Sequence, residues 1–433
     1  MTVIADLRRL LALPGFRKLF AVRLISQCAD GMFQVGLATL LFFSPESMGT
    51  APEIATGFVV MLAPFTVVGP FAGVLLDRWR RRQVLLWGNV IRAFVTIAMA
   101  TALWLLGGNN VVQMLGLLAL SINRFLLAGL SAGLPNVLNT ENDDGADLLL
   151  TANSLVPTIG AGAAFVGGGI GFLFASVIPV GQFQDSAVLF AAATTMLLAA
   201  LATARLRRGE LGPTSPVTTN IRQDIAAVTA DLRAGAKYLA ARVTPGQALL
   251  VTALHRFLYG LVFIAAILLS RNILASPGDT AAGLGNFAII MGLIGAGGAI
   301  AVVITPTLSR PLASQTWVAL MFGLATVSQI VLAISATRLV VFAAALLLGI
   351  AAQASKIAID TIVQRDTSDA FRGRAFAFYD VVFNAAFVAA AILAAFLVPD
   401  SGWSRVLFLG IAFAYVILAL WMWGRAARTP AEV

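Results

Sequence analysis

Apolar runs of 18 residues or more, separated by short polar breaks, recur along the whole chain. Twelve are long enough to cross a bilayer, which takes roughly 20 helical residues. They cover approximately 19–43, 56–76, 84–106, 112–134, 150–174 and 187–204, then 248–270, 283–305, 317–335, 339–362, 375–397 and 405–424. Between the sixth and seventh lies the longest polar stretch, 205–246, with Gly209, Gly212, Pro213 and Pro216 near its start. The pattern predicts an all-α membrane protein of twelve transmembrane helices. A six-helix bundle over 1–204 precedes a cytoplasmic linker over 205–246 and a second six-helix bundle over 247–433. Inside the linker, Ile221, Ile225, Val228, Leu232 and Leu239 share one helical stripe, while Arg222, Asp224, Arg233 and Lys237 lie off it. That spacing predicts an amphipathic helix over roughly 221–241. It either lies in the headgroup layer between two moving bundles or simply tethers them.

Composition supports this reading. Of 433 residues, 59% are hydrophobic and 11% charged, and mean hydropathy is +0.92. A soluble domain is nearer half apolar and a quarter charged. Twelve spans also leave no room for a sizeable soluble domain.

The net charge of +9 would suggest nucleic acid if the basic residues clustered. Instead they sit in short loops, so the bilayer is the partner and nucleic acid is not. With the N-terminus inside, the inner segments hold 21 Lys and Arg, and the outer loops hold only Arg271, Arg338 and Arg405. This bias places both termini in the cytoplasm and the protein in the inner or plasma membrane. The loop after span 4 is an exception, with Glu141, Asp143, Asp144 and Asp147 and no base. Cys28 is the one cysteine, which excludes an intrachain disulfide. The basic start runs into a long span without a small-residue cleavage site, as in an uncleaved anchor.

Charge inside a span is costly and asks for a reason. Eight such residues occur: Arg23, Asp30, Arg92, Arg124, Arg256, Lys356, Asp360 and Asp380. Six of them fall on spans 1, 4, 7 and 10, the first helix of each successive triplet. Asp30 lies roughly 16 Å into span 1 at 1.5 Å per residue. Arg23, Gln27 and Gln34 share its face. Asp30 is therefore the candidate proton-coupling residue, since a carboxylate titrates differently when desolvated and when beside an arginine. The alternative is a permanent bridge to Arg124 or Arg23.

Candidates for a substrate cavity are Arg23, Gln27, Gln34, Asn123, Arg124, His255, Arg256, Tyr259 and Gln353. Arg23 has the alternative of reaching the inner headgroups. Lys356 and Asp360, spaced i, i+4, predict a local ion pair. With Asp380 they form either a cytoplasmic gate or a satisfied interfacial cluster. His255 is the only histidine, too few ligands for a metal, and no cofactor is expected.

The residues after span 2 carry a resemblance. Gly73-Val-Leu-Leu-Asp77-Arg78-Trp79-Arg80-Arg81-Arg82 resembles the loop signature G-x-L-x-D-R-x-G-R-K/R of the major facilitator superfamily, with Arg80 where an inner glycine is usual. Arg124 with Gly129 resembles that family's R-x-x-x-G at a spacing one residue longer. Gly160, Gly168 and Gly169 match the antiporter-associated G-x-x-x-G-P-x-x-G-G, with Ala164 and Phe165 in place of Gly-Pro.

The resemblance, closest in general look to drug-efflux members, implies two bundles of inverted three-helix repeats that rock about a midplane site. It implies a cytoplasmic latch of Gly73, Asp77, Arg78, Arg81 and Arg82, with the aspartate facing a helix N-terminus. It further implies secondary active transport, here proton-coupled export of a small amphiphilic compound by a monomer. Uptake, or export or flipping of a lipid, is the alternative. The excess of basic over acidic in-span charge favours a neutral, anionic or amphiphilic substrate.

An enzyme is not expected. Gly129-Leu-Ser131-Ala-Gly133 spells a nucleophile elbow, but within an apolar helix rather than a strand-turn-helix. No H-E-x-x-H and no Walker lysine is present. A scaffold or sensor that keeps the fold without transporting would tolerate neutral residues at Asp30 and Arg124.

Overall fold

The computed structural model describes residues 3–38, 40, 50–57, 59, 79–108, 110–138, 143–179, 182–212, 221–276, 279–309, 311–367 and 369–426. Span 2 falls almost wholly outside them, and with it Gly73, Asp77 and Arg78 of the loop signature. The helices are α1 (Val3–Ala12), α2 (Pro14–Ala38), α3 (Arg81–Leu106), α4 (Asn110–Ala132), α5 (Leu134–Leu138), α6 (Asp143–Ser176) and α7 (Gln182–Ala204). They continue as α8 (Ile221–Ala241), α9 (Val243–Asn272), α10 (Thr280–Leu308), α11 (Ser314–Ile334), α12 (Arg338–Asp366), α13 (Asp369–Leu397) and α14 (Arg405–Ala426). Among the described residues no strand occurs.

Among the described residues ten helices are long and apolar enough to cross a membrane: α3, α4, α6, α7 and α9 to α14. Helix α2 has the length at 25 residues, but Arg17, Lys18, Arg23 and Asp30 dilute its hydropathy. The apolar faces confirm the solvent: Phe396 and Val406 are each 81% exposed and Leu339 80%. Such surface belongs in lipid.

Span 1 starts earlier than its hydropathy suggests. Pro14 occupies the first turn of α2, where a missing N–H costs nothing. The residues before it form an amphipathic helix, α1, whose Leu10 is fully buried. The helix that carries the fifth span likewise begins at Asp143 rather than near 150, because its acidic first turns suit a helix N-terminus.

The chain divides into two compact units, Met1–Glu46 with Val60–Val228, and Ser47–Val59 with Thr229–Val433. The division falls inside α8, the linker helix. In the second unit, α9 packs on α13, α10 on α12 and α11 on α14. Exchanging the triplets α9–α11 and α12–α14 maps these three contacts onto one another, as inverted repeats require, whereas the close packing of α11 on α12 has no counterpart of similar extent. In the first unit α2 packs on α6 and α3 on α7, the counterparts of α9 on α13 and α11 on α14.

Glycines let these helices touch backbone to backbone. A Cβ on Gly31 would lie 1.8 Å from the Ala164 carbonyl oxygen, and one on Gly167 2.0 Å from that of Cys28. The contact between α10 and α12 repeats the device. There, a Cβ on Gly297 would meet the Leu346 oxygen at 2.4 Å, and one on Gly349 the Ile294 oxygen at 2.3 Å. Of the glycines singled out in span 5, Gly160 lies against Arg23 and Gln27, whereas Gly169 faces open space.

Candidate functional site

The first unit gathers its polar residues around Asp30, which is 4% exposed on α2. Arg92 of α3, fully buried, donates from Nη2 to Asp30 Oδ1. Asn123 of α4 donates from Nδ2 to Oδ2 at 2.7 Å and accepts from Arg92 Nη1 at 2.8 Å. Gln34 approaches Oδ2 at 3.4 Å, and the Arg92 guanidinium lies 5.6 Å from the Phe33 ring centroid. Three helices thus converge on one carboxylate.

The bridge therefore does not run to Arg124 or Arg23. Arg23 is buried two turns away, with Nη1 3.5 Å from the Ser131 hydroxyl, and Arg124 is half-buried on α4. Sequence reasoning gave Arg92 no role because it lies on a third helix of a triplet. The available signal was depth. At 1.5 Å per residue, counted from the apolar-run starts at 84 and 19, Arg92 lies roughly 12 Å and Asp30 roughly 16 Å into spans that start from the same side.

Arg81 and Arg82 of the loop signature are engaged within the same unit. Arg81 Nη1 donates to the Ala132 carbonyl at 2.9 Å, to Asn136 Oδ1 at 3.0 Å and to the Leu211 carbonyl at 3.2 Å. Arg82 donates to the Leu206 and Ala204 carbonyls at 2.7 and 3.0 Å. Both cap helix C-termini, where unsatisfied carbonyls concentrate.

The second unit holds an aromatic cluster. On α9, Arg256 and Tyr259 turn toward α13. The guanidinium carbon stands 4.2 Å from the Phe383 centroid, 4.3 Å from Phe387 and 5.2 Å from Tyr259. Phe263 extends the cluster, edge-on to Phe287 and Phe387 at 5.7 Å from each. Behind it, Tyr259, Phe263, Val262, Ile290 and Leu348 line an apolar void of about 30 Å³.

His255 points elsewhere. Its Nδ1 lies 3.1 Å from the Tyr415 hydroxyl, and its ring stacks on Phe322 at 5.5 Å. It packs toward α11 and α14, away from the α13 rings that hold its neighbour Arg256. On α12, Lys356 pairs with Asp360 at 2.5 Å. Gln353 is half-buried beside Gly298 of α10, and Asp380 is exposed on α13. Phe383, Phe387 and Tyr415 escaped the sequence reading because aromatic residues in apolar helices carry no distinguishing pattern. Among the described residues no group of three or more His, Cys, Asp or Glu could hold a metal.

Buried polar clusters within bundles of apolar, inverted-repeat helices define a secondary transporter. No family model matches the chain. It is 33% identical over 405 residues to proteins of Mycobacterium bovis and Mycobacterium tuberculosis, each named an uncharacterized MFS-type transporter. The match covers 91% of this chain and 87% of each relative. The chain belongs to the major facilitator superfamily. Solved structures agree in fold. The nucleoside transporter NupG aligns with a TM-score of 0.63 at 14% identity, covering 94% of this chain and 98% of its own. A POT family transporter in complex with a thioalcohol-conjugated peptide gives 0.67 at 12%, covering 94% and 96%. The relatives are transporters, and the GxSxG spelling runs through the last turns of α4 to the turn at Gly133 rather than along a strand, so the protein is a multi-pass membrane transporter and not an enzyme.

Proposed function

We propose that this transporter exports small amphiphilic compounds in exchange for protons, by alternating access, with Asp30 as the proton-carrying residue. The observation that carries the reading is the convergence of Arg92, Asn123 and Gln34 on one buried carboxylate. An ionised Asp30 holds Arg92. Protonation removes the charge that fixes the arginine and frees its donors, so one proton switches contacts between α2, α3 and α4. Such a switch biases one conformation over another, which coupling needs. Loop charge supports cytoplasmic termini in the inner or plasma membrane, and Gly73, Asp77 and Arg78 would supply the cytoplasmic latch. Lys356, Asp360 and Asp380 would form a gate at the same face.

The test is proton movement in energised inverted vesicles on adding a panel of amphiphilic compounds, comparing wild type, Asp30→Asn and empty-vector controls. Compound-specific proton release that is lost in Asp30→Asn is the expected result. Release that persists in Asp30→Asn removes Asp30 from coupling. No release from well-expressed wild type overturns proton-driven export in favour of uptake, uniport or a lipid substrate.

A further inference from the structure

Two arginines within the membrane-spanning helices, the buried Arg92 and the half-buried Arg256, are neutralised differently. Arg92 has a carboxylate, Asp30. Among the described residues Arg256 has none: its contacts are the faces of Phe383, Phe387 and Tyr259, and its Nε is buried without a hydrogen-bond partner. The acids of the same unit are committed or remote. Asp360 is paired with Lys356, and Asp366 with Arg365. Asp380 is exposed one turn before Phe383.

Ring quadrupoles attract a cation. They do not replace the hydration it loses on burial. They also leave the donor edge of the guanidinium unanswered, because a ring face meets its plane and not its N–H groups. A planar cation flanked by Phe383 and Phe387, one turn apart on α13, thus presents its N–H fork to whatever carries matching acceptors. The apolar void behind Tyr259 and Phe263 offers no acceptor from that side.

We infer that Arg256 is the receptor for an anionic group of the transported compound, and that Tyr259, Phe263, Phe383 and Phe387 receive its apolar or aromatic body. The substrate class is then a monoanionic amphiphile: a carboxylate, sulfonate or phosphate ester on a ring or short acyl body. This rests on the transporter reading above but not on proton coupling or direction. Arg256 is a specificity-determining residue, because a neutral isostere would leave its donors unpaired, whereas an anion completes them.

Equilibrium binding to the full chain in phosphatidylcholine nanodiscs tests this. The probes are 2-naphthoate, 2-naphthamide and (2-naphthylmethyl)trimethylammonium; the proteins are wild type, Arg256→Gln and Arg256→Lys. Wild type should bind the carboxylate about tenfold or more tighter than the amide. That ratio should fall to near one in Arg256→Gln and to an intermediate value in Arg256→Lys, which keeps the charge but not the planar fork. Arg256→Gln removes an uncompensated cation, so its thermal stability should match or exceed wild type, and a loss of binding would not report misfolding.

Adding phosphatidylglycerol to the discs separates two sources of the anion. Competition that depends on Arg256 assigns the site to a lipid headgroup, and no competition assigns it to a soluble anion. Equal affinity for carboxylate and amide overturns the inference, as does preference for the ammonium, carboxylate selectivity that survives in Arg256→Gln, or no naphthoate binding at millimolar concentration. Binding needs no gradient. Loss of proton release with retained naphthoate selectivity would remove the coupling reading alone, and the converse would remove this one alone.

Discussion

Arg92 of α3 and Asp30 of α2 close on each other where neither is exposed beyond a few per cent. Their partner Asn123 bonds to both at once. A buried pair of this kind stabilises little by itself, but removing one member strands the other. Arg92→Gln should therefore destabilise the detergent-solubilised protein by about 3–5 kcal/mol. The double variant Asp30→Asn with Arg92→Gln should recover much of that loss. Thermal unfolding of the four proteins of the cycle measures the coupling directly.

The contact between α2 and α6 predicts a sharp contrast among glycines. Gly31→Val or Gly167→Val would force a side chain into a backbone carbonyl and should abolish the monodisperse protein peak. Gly169→Ala, facing open space, should be neutral or raise thermal stability slightly, since alanine is the better helix former by roughly 1 kcal/mol.

Loop arginines act as helix caps in both units. Arg82 serves the end of α7, and in the second unit Arg405 donates to the Ala333 carbonyl and Arg338 to that of Leu274. Arg82→Ala and Arg405→Ala should each cost about 1–2 kcal/mol, seen as a lower unfolding temperature. Arg82→Lys should fall between, because one ammonium cannot span the two carbonyls as a fork does.

Tyr415→Phe deletes the hydroxyl beside His255 Nδ1. It should destabilise by about 1 kcal/mol or somewhat more, while the carboxylate-to-amide ratio in the naphthyl binding assay stays at its wild-type value. A change in that ratio would place His255 in the ligand site after all.

Much of the architecture was legible because hydropathy reports burial in lipid over a length that bilayer thickness fixes. The linker helix appeared where the stripe from Ile221 to Leu239 put it. Ends were less legible: Pro14 and Asp143 start helices by local chemistry that a hydropathy window averages away. Within the candidate site, Asp30 and Arg256 stood out as charges in apolar runs. Arg92, Asn123, Gln34 and Tyr259 stood out too, but which of them pair did not, because pairing depends on how each helix is rotated about its axis. That rotation placed Arg92 rather than Arg23 or Arg124 on Asp30, and it turned His255 and Arg256, adjacent in sequence, toward different neighbours.

Three interfaces of the second unit, α9 on α13, α10 on α12 and α11 on α14, are exchanged among themselves when its triplets trade places, which separates two kinds of information in the chain. The interfaces do not care which triplet the ribosome makes first. Insertion does care, because three crossings are an odd number and the second triplet enters from the opposite face. The same packing code is thus written twice in opposite senses, and only the punctuation between spans distinguishes one reading direction from the other.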